Sequence, residues 1–157
     1  MSIERARKHL SRWGKDGLIV EHEHSSATVE LAAEALGTEA GRIAKTLSFL
    51  NAERTLLIVA AGDARIDSAK FKKNFGLKKA RMVPSEEVEQ RTGHSVGGVC
   101  PFGVNEGVDI WLDISLRRYE TVFPACGSSN SSIELTLEEL ETFSEAHGWV
   151  DLCRDWQ

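Results

Sequence analysis

Near the middle of the chain, Gly97-Gly98-Val99-Cys100-Pro101-Phe102-Gly103 places three glycines and a proline in seven positions. No helix or regular central strand runs through such a stretch. Glycine permits positive φ and close approach of another group, while proline fixes φ and removes a donor. The chain must therefore make an irregular loop here and resume regular structure on either side. Such a loop can aim several main-chain N–H groups at one point, which suits a phosphate or a developing oxyanion. It can equally be a tight connection between two elements. Two other pieces bear on the choice: Lys45 upstream, and Gly127-Ser128-Ser129-Asn130-Ser131-Ser132-Ile133 downstream.

The 157 residues fit one domain, spanning 1–157, with enough chain to bury a core. The N-terminus has no apolar signal-peptide region, and no apolar run reaches membrane-spanning length, so a cytoplasmic protein is expected. Cys100, Cys126 and Cys153 are odd in number and widely spaced, which argues against a disulfide framework and a zinc site. His22 and His24 alternate along a predicted strand, but no further ligand follows at metal-binding spacing. Neither metal nor cofactor is expected. The net charge of −5 disfavours a general nucleic-acid-coating protein. Its distribution is polarised, however. Lys70, Lys72, Lys73, Lys78, Lys79 and Arg81 form a run without acids, while the chain from Glu134 onward is acidic. The basic run is either a solvated face or a surface that steers a polyanion.

Periodicity predicts an opening helix with Ile3, Ala6, Leu10 and Trp13 on one face, then a strand over Leu18 to Glu23. Thr28 is placed to cap a helix that Gly37 closes. Lys45 to Phe49 alternates as a strand, with Leu56 to Ala61 as its hairpin partner. Asp67 caps a helix bearing Phe71 and Phe75, a short basic strand follows, and Pro84-Ser85 opens a helix that ends at Gly93. Strands are predicted over Asp109 to Ile114, Thr121 to Ala125 and, last, Ile133 to Thr136. A capping box, Thr136 to Glu139, opens a final helix with Leu137, Leu140 and Phe143 inward. Hairpins and helices interleave irregularly, so the expected fold is α+β: a curved, partly barrel-like mixed sheet flanked by helices.

Several side chains invite chemistry. Strand parity puts Lys45 on one face with Leu47 and Phe49, either anchoring an anion or snorkelling to solvent. Cys100 with His94 six residues earlier, and Asp113 to orient the imidazole, would make a nucleophilic triad; a cysteine is also a small apolar filler. Asp109 and Asp113 share a strand face and are either an acid–base pair or strand-end caps. Trp13, Trp111, Trp149 and Trp156 lack the spacing of a base-stacking platform.

Taken in order, Ile43-Ala44-Lys45-Thr46-Leu47, the Gly97 loop, Asp113-Ile114-Ser115-Leu116 and Gly127 to Leu135 resemble the YbaK family, the editing domain inserted in prolyl-tRNA synthetases. The likeness runs from about Leu18 to Phe143. It implies hydrolysis of the ester joining a wrong small amino acid (Ala, Cys, Ser or Thr) to the 3′ end of a tRNA such as tRNA-Pro. It implies catalysis by Lys45 with the main chain of Gly98, Val99 and Cys100, by way of water and a ribose hydroxyl of the substrate. Thr28, Gly97, Pro101, Phe102, Gly103, Gly127, Ser128 and Asn130 would surround the substrate, with Cys100 and Cys126 lining the aminoacyl pocket. The partners implied are the tRNA acceptor end and a synthetase acting in trans, with the basic run from Lys70 to Arg81 on the nucleic acid. Two alternatives stand beside this reading: a non-catalytic tRNA- or synthetase-binding module, and a Cys100/His94 hydrolase.

Overall fold

The computed structural model describes residues 2–23 and 28–156. Helix α1 (Ser2–Ser11) buries Ala6 and Leu10, as its spacing requires. A 3-10 turn, Asp16–Leu18, leads into β1 (Val20–Glu21). The strand expected over Leu18 to Glu23 is thus two residues long, because β1 pairs only with Ser131 and Ser132. His24 lies outside the described residues. Helix α2 (Val29–Leu36) starts where Thr28 Oγ1 accepts from Leu31 N, and it stops at Gly37, whose φ is 64°. After a 3-10 turn (Ala40–Arg42), the hairpin of β2 (Ile43–Asn51) and β3 (Arg54–Ala61) forms the centre of the fold.

Strand β4 (Arg65–Ile66) precedes α3 (Ser68–Phe75), which Asp67 caps at Lys70 N. The basic strand expected next does not form. Residues 78–81 are irregular, and only Met82 makes a bridge, to Phe49. Helix α4 (Ser85–Thr92) then runs to Gly93. Beyond the glycine loop come β5 (Val108–Asp113), the 3-10 turn Ile114–Arg118, β6 (Thr121–Pro124), β7 (Ser131–Ser132) and β8 (Leu135–Thr136). Helix α5 (Leu137–Ser144) carries the reciprocal capping box of Thr136 and Glu139 and buries Leu140 and Phe143. The chain does not finish its strands there. β9 (Trp149–Val150) joins β5, and β10 (Cys153–Arg154) joins β4, two pairings too short to leave a period in the sequence.

The result is a mixed α+β fold around a curled six-stranded sheet in the order β8-β6-β2-β3-β5-β9. β3 is buried along seven of its eight residues, which is why it reads as an unbroken apolar run rather than an alternation. Register assigns the faces. Ala44, Thr46 and Ser48 of β2 continue as Ala61, Val59 and Leu57 of β3, and the last two continue as Leu112 and Ile110 of β5. The other face carries Lys45, Leu47 and Phe49, and α3 covers its Phe49 end. The Phe71 ring lies 4.9 Å from Phe49, and Phe75 lies 6.1 Å from Trp111. Among the described residues no helix is long and apolar enough to cross a membrane.

Candidate active site

The sheet is split along one edge of β2, and the split is the site. β6 pairs with β2 only at Ile43 and Ala44; then Ala125 turns away to bridge Ser132. Contact resumes at the far end, where Leu50 N donates to Arg81 O and Val83 N donates to Ser48 O. Those two bonds show that the even-numbered residues of β2 point their main-chain groups away from β3. By strand alternation Thr46 does the same, and among the described residues nothing pairs with it. The opening holds a cleft of about 400 Å³, and residues 43–48 form one wall. Val29, Ala32 and Leu36 of α2 face it across the gap. Met82, Val83, Val88, Val96, Gly97 and Val99 close one side, and Phe123, Ala125, Ser131 and Ser132 close the other.

Two glycine loops meet beside this cleft. Gly97, with φ of 90°, takes the third place of a turn that Gly98 N closes on Ser95 O at 2.9 Å. Gly98 then lies flat against Gly127: a Cβ there would stand 2.7 Å from Gly127 C and O and 2.8 Å from Ser128 N. Gly127 is itself pressed onto the start of α1, where its carbonyl accepts from Ser2 Oγ. The donors of the first loop are therefore not those expected. Gly98 N–H is committed to the turn, whereas Val99 and Cys100 N–H carry no hydrogen bond among the described residues.

Lys45 stands on the face predicted for it, opposite Ala60. Its ammonium donates to Gly62 O at 3.3 Å and to Ala64 O. Desolvation lowers its pKa from the ordinary lysine value, against smaller favourable contributions from nearby Cys153 and Asp63. The group is thus a half-buried cation at the foot of the cleft, held by two neutral carbonyls. Such partners compete weakly with an anion.

The nucleophile reading fails on burial. Cys100 Sγ does lie 3.6 Å from His94 Nε2, but both residues are fully buried. Desolvation pushes the Cys100 thiol up to about 12 and His94 down to about 4. His94 Nε2 also donates to Phe102 O at 2.6 Å, so the nitrogen facing the thiol is not a free base. Asp113 is spent elsewhere, accepting from Ser115 N and Leu152 N as a strand-end cap. Asp109 forms a bidentate pair with Arg54, at 2.7 Å twice, and does not act with Asp113. The expectation that Cys100 and Cys126 line the pocket also falls. Each is one residue out of phase: Val99 and Ala125 reach the cleft, and the thiols enter the core.

The other expected contacts divide in the same way. Thr28 and Gly97 line the cleft. Pro101 and Phe102 are buried, and Gly103 packs on Arg5. Ser128 Oγ lies 2.6 Å from Ser131 Oγ, and Asn130 Nδ2 donates to His22 O at 2.8 Å, so these two brace the loop while Ser131 and Ser132 present the wall. In the basic run, Lys70 is tied to Asp151 at 3.0 Å and to Cys153 O, and so is removed from the free set. Lys72, Lys73, Lys78, Lys79 and Arg81 are exposed, and Arg81 adjoins Met82 on the cleft rim. Sequence reasoning missed Thr46 and Ser48. Their signal was two hydroxyls, two residues apart, on the strand face opposite Lys45. Among the described residues no group of three His, Cys, Asp or Glu is arranged to hold a metal.

A family model for the aminoacyl-tRNA editing domain matches residues 23–143. The chain belongs to the aminoacyl-tRNA editing domain family. It is 51% identical to the uncharacterized protein YwhH of Bacillus subtilis over the full length of both chains. It is 33% identical, over 75% of this chain and 71% of the relative, to EbsC of Enterococcus faecalis, described as a candidate Cys-tRNA(Pro)/Cys-tRNA(Cys) deacylase. Proline–tRNA ligase of Shouchella clausii matches 66% of this chain at 34% identity, and the match spans 18% of the ligase. Among solved structures, one described as a candidate trans-editing enzyme for prolyl-tRNA synthetase superposes with a TM-score of 0.87 at 32% identity. That match covers 98% of this chain and 97% of the other. Membership of this editing family assigns the chain aminoacyl-tRNA deacylase activity.

Proposed function

We propose that the split-edge cleft of this editing domain hydrolyses the ester between a small amino acid and the 3′ end of tRNA-Pro or a related tRNA. The observation that carries this is the contact of Gly98 with Gly127 beside the open edge of β2, with the Lys45 ammonium at its foot. The unbonded Val99 and Cys100 N–H groups receive the carbonyl oxygen as water adds to it. Fixed donors of this kind favour the tetrahedral oxyanion over the flat ester. Collapse of that intermediate breaks the bond to the ribose oxygen, which leaves with the proton that water gave up, passed through the adjacent ribose hydroxyl. The products are the free amino acid and an intact tRNA end.

Lys45 turns from its two carbonyls to the phosphate of the terminal adenosine and holds the ester against the loop. The apolar walls from α2, Val99, Phe123 and Ala125 then enclose a short side chain. Walls of this kind discriminate by about 1–3 kcal/mol per methylene, so neighbouring small residues are separated by size. Exposed Lys72, Lys73, Lys78, Lys79 and Arg81 lie on the approach of the acceptor strand. The ligase relatives carry the matching segment within a prolyl-tRNA synthetase, which supports tRNA-Pro as the tRNA and such a synthetase as the partner in trans. In this reading the enzyme acts in the cytoplasm. The test is a panel of tRNA-Pro charged with Ala, Cys, Ser, Thr or Pro, incubated with wild type and with Lys45→Ala. Hydrolysis of one or more small-residue esters, lost by about 100-fold in the variant, is the expected result. Buffer-level rates on every ester would refute it.

A further inference from the structure

Three hydrogen-bonding groups on one wall of the cleft have no partner among the described residues, and the deacylation chemistry does not use them. Thr46 Oγ1 is buried and unbonded. Ser48 is 6% exposed, lines the same wall, and its hydroxyl has no hydrogen bond among the described residues. The third is the carbonyl of Thr46, turned by strand alternation into the gap that β6 and Met82 leave open. Buried polar atoms are ordinarily bonded, and a hydroxyl without a partner costs stability. A buried unbonded hydroxyl at Thr46, with the Ser48 hydroxyl two residues on and on the same face, makes a subsite for something polar.

The chemistry of that subsite follows from what surrounds it. All three groups accept hydrogen bonds, and no carboxylate lines the cleft among the described residues. The glycine loop across the cleft supplies a donor instead, at the unbonded N–H of Val99. Acceptors on one wall and a donor on the other match the two polar ends of an aminoacyl group, an α-ammonium one carbon away from an ester carbonyl. With the carbonyl on the loop, the ammonium faces β2.

We propose that Thr46 and Ser48 form an α-amino subsite, which restricts the enzyme to tRNA esters whose amino group is free and excludes N-acylated ones. This rests on the deacylase reading above. An N-acyl group removes the positive charge and two of the three donors, and it adds bulk at the buried end of the strand gap. Thr46 and Ser48 are specificity residues here; attack on the carbonyl proceeds without them.

The experiment uses the small-residue tRNA-Pro ester turned over fastest in the panel, compared with the same preparation after N-acetylation by acetic anhydride. Wild type should hydrolyse the free ester at least about 10-fold faster than the acetylated one, as expected for bonds to a charged group. Thr46→Val and Ser48→Ala should each lower kcat/KM on the free ester by about 10-fold and leave the slow acetylated rate unchanged. Thr46→Ser should restore the loss. Because the hydroxyls are unbonded in the fold, neither Thr46→Val nor Ser48→Ala should lower the melting temperature, which separates subsite loss from misfolding. Equal wild-type rates on both esters, or variants that slow both equally, overturn the amino subsite and leave the deacylase intact. No turnover of either ester overturns both.

Discussion

Gly98→Ala tests the contact on which the site depends. The added Cβ would stand 2.7 Å from two main-chain atoms of Gly127 and 2.8 Å from Ser128 N, all backbone. An ordinary contact begins near 3.4 Å, so the two loops must part by about 0.7 Å. Gly127 cannot retreat freely, because its own α-carbon faces Ser2 O, with only 2.3 Å available to a Cβ. Overpacking of this kind costs about 1–3 kcal/mol, or roughly 3–10 °C of melting temperature for a chain of this size. The functional cost should be larger than the loss of stability. Val99 and Cys100 N–H follow Gly98 directly, and misplacing oxyanion donors by a fraction of an ångström reduces rate by about 10- to 100-fold. Single-turnover deacylation and thermal unfolding, both in the buffer used for wild type, measure the two effects. Gly17→Ala is the control, since nothing lies within 4 Å of its added Cβ. If Gly98→Ala melts and turns over like Gly17→Ala, the loops are not in contact and the site is wrongly assembled.

Four further outcomes follow from groups outside the cleft. Burial holds His94 neutral, with its pKa lowered from 6.5 to about 4. The unfolded chain therefore binds more protons between those values. Stability should be complete above about pH 6.5 and fall by about 3 kcal/mol as pH drops to about 4; urea unfolding of His94→Gln should lack this slope. Iodoacetamide at pH 8 should leave native protein active, because desolvation pushes the fully buried Cys100 thiol up to about 12; rapid inactivation with carbamidomethylation at Cys100 would restore the nucleophile reading. Replacing Lys72, Lys73, Lys78 and Lys79 with Ala should raise KM for the tRNA ester and flatten its salt dependence by about 0.7 for each phosphate no longer neutralised. Lys70→Ala should instead lower the melting temperature through its bonds to Asp151 and Cys153 O, leaving the salt slope unchanged.

Local order was written locally. Thr28, Asp67 and Thr136 cap the helices they precede, Gly37, Gly76 and Gly93 end theirs in left-handed conformations, and the β2–β3 hairpin stands where its alternation put it. These features depend on neighbours within a few residues, so one sequence carries them entire. The family likeness rests on the same footing: ordered short segments, each readable alone. The faces of the site were not local. Whether Val99 or Cys100 meets the cleft, and whether Ala125 or Cys126 does, turns on a single residue of phase in irregular segments where no period exists to fix it. The two glycine loops touch because α1 holds Gly127 from behind, a contact across 125 residues. The empty edge at Thr46 exists because β6 leaves β2 after two residues. Strand composition says which residues pair well, but the place where pairing stops is decided by the whole sheet closing on itself.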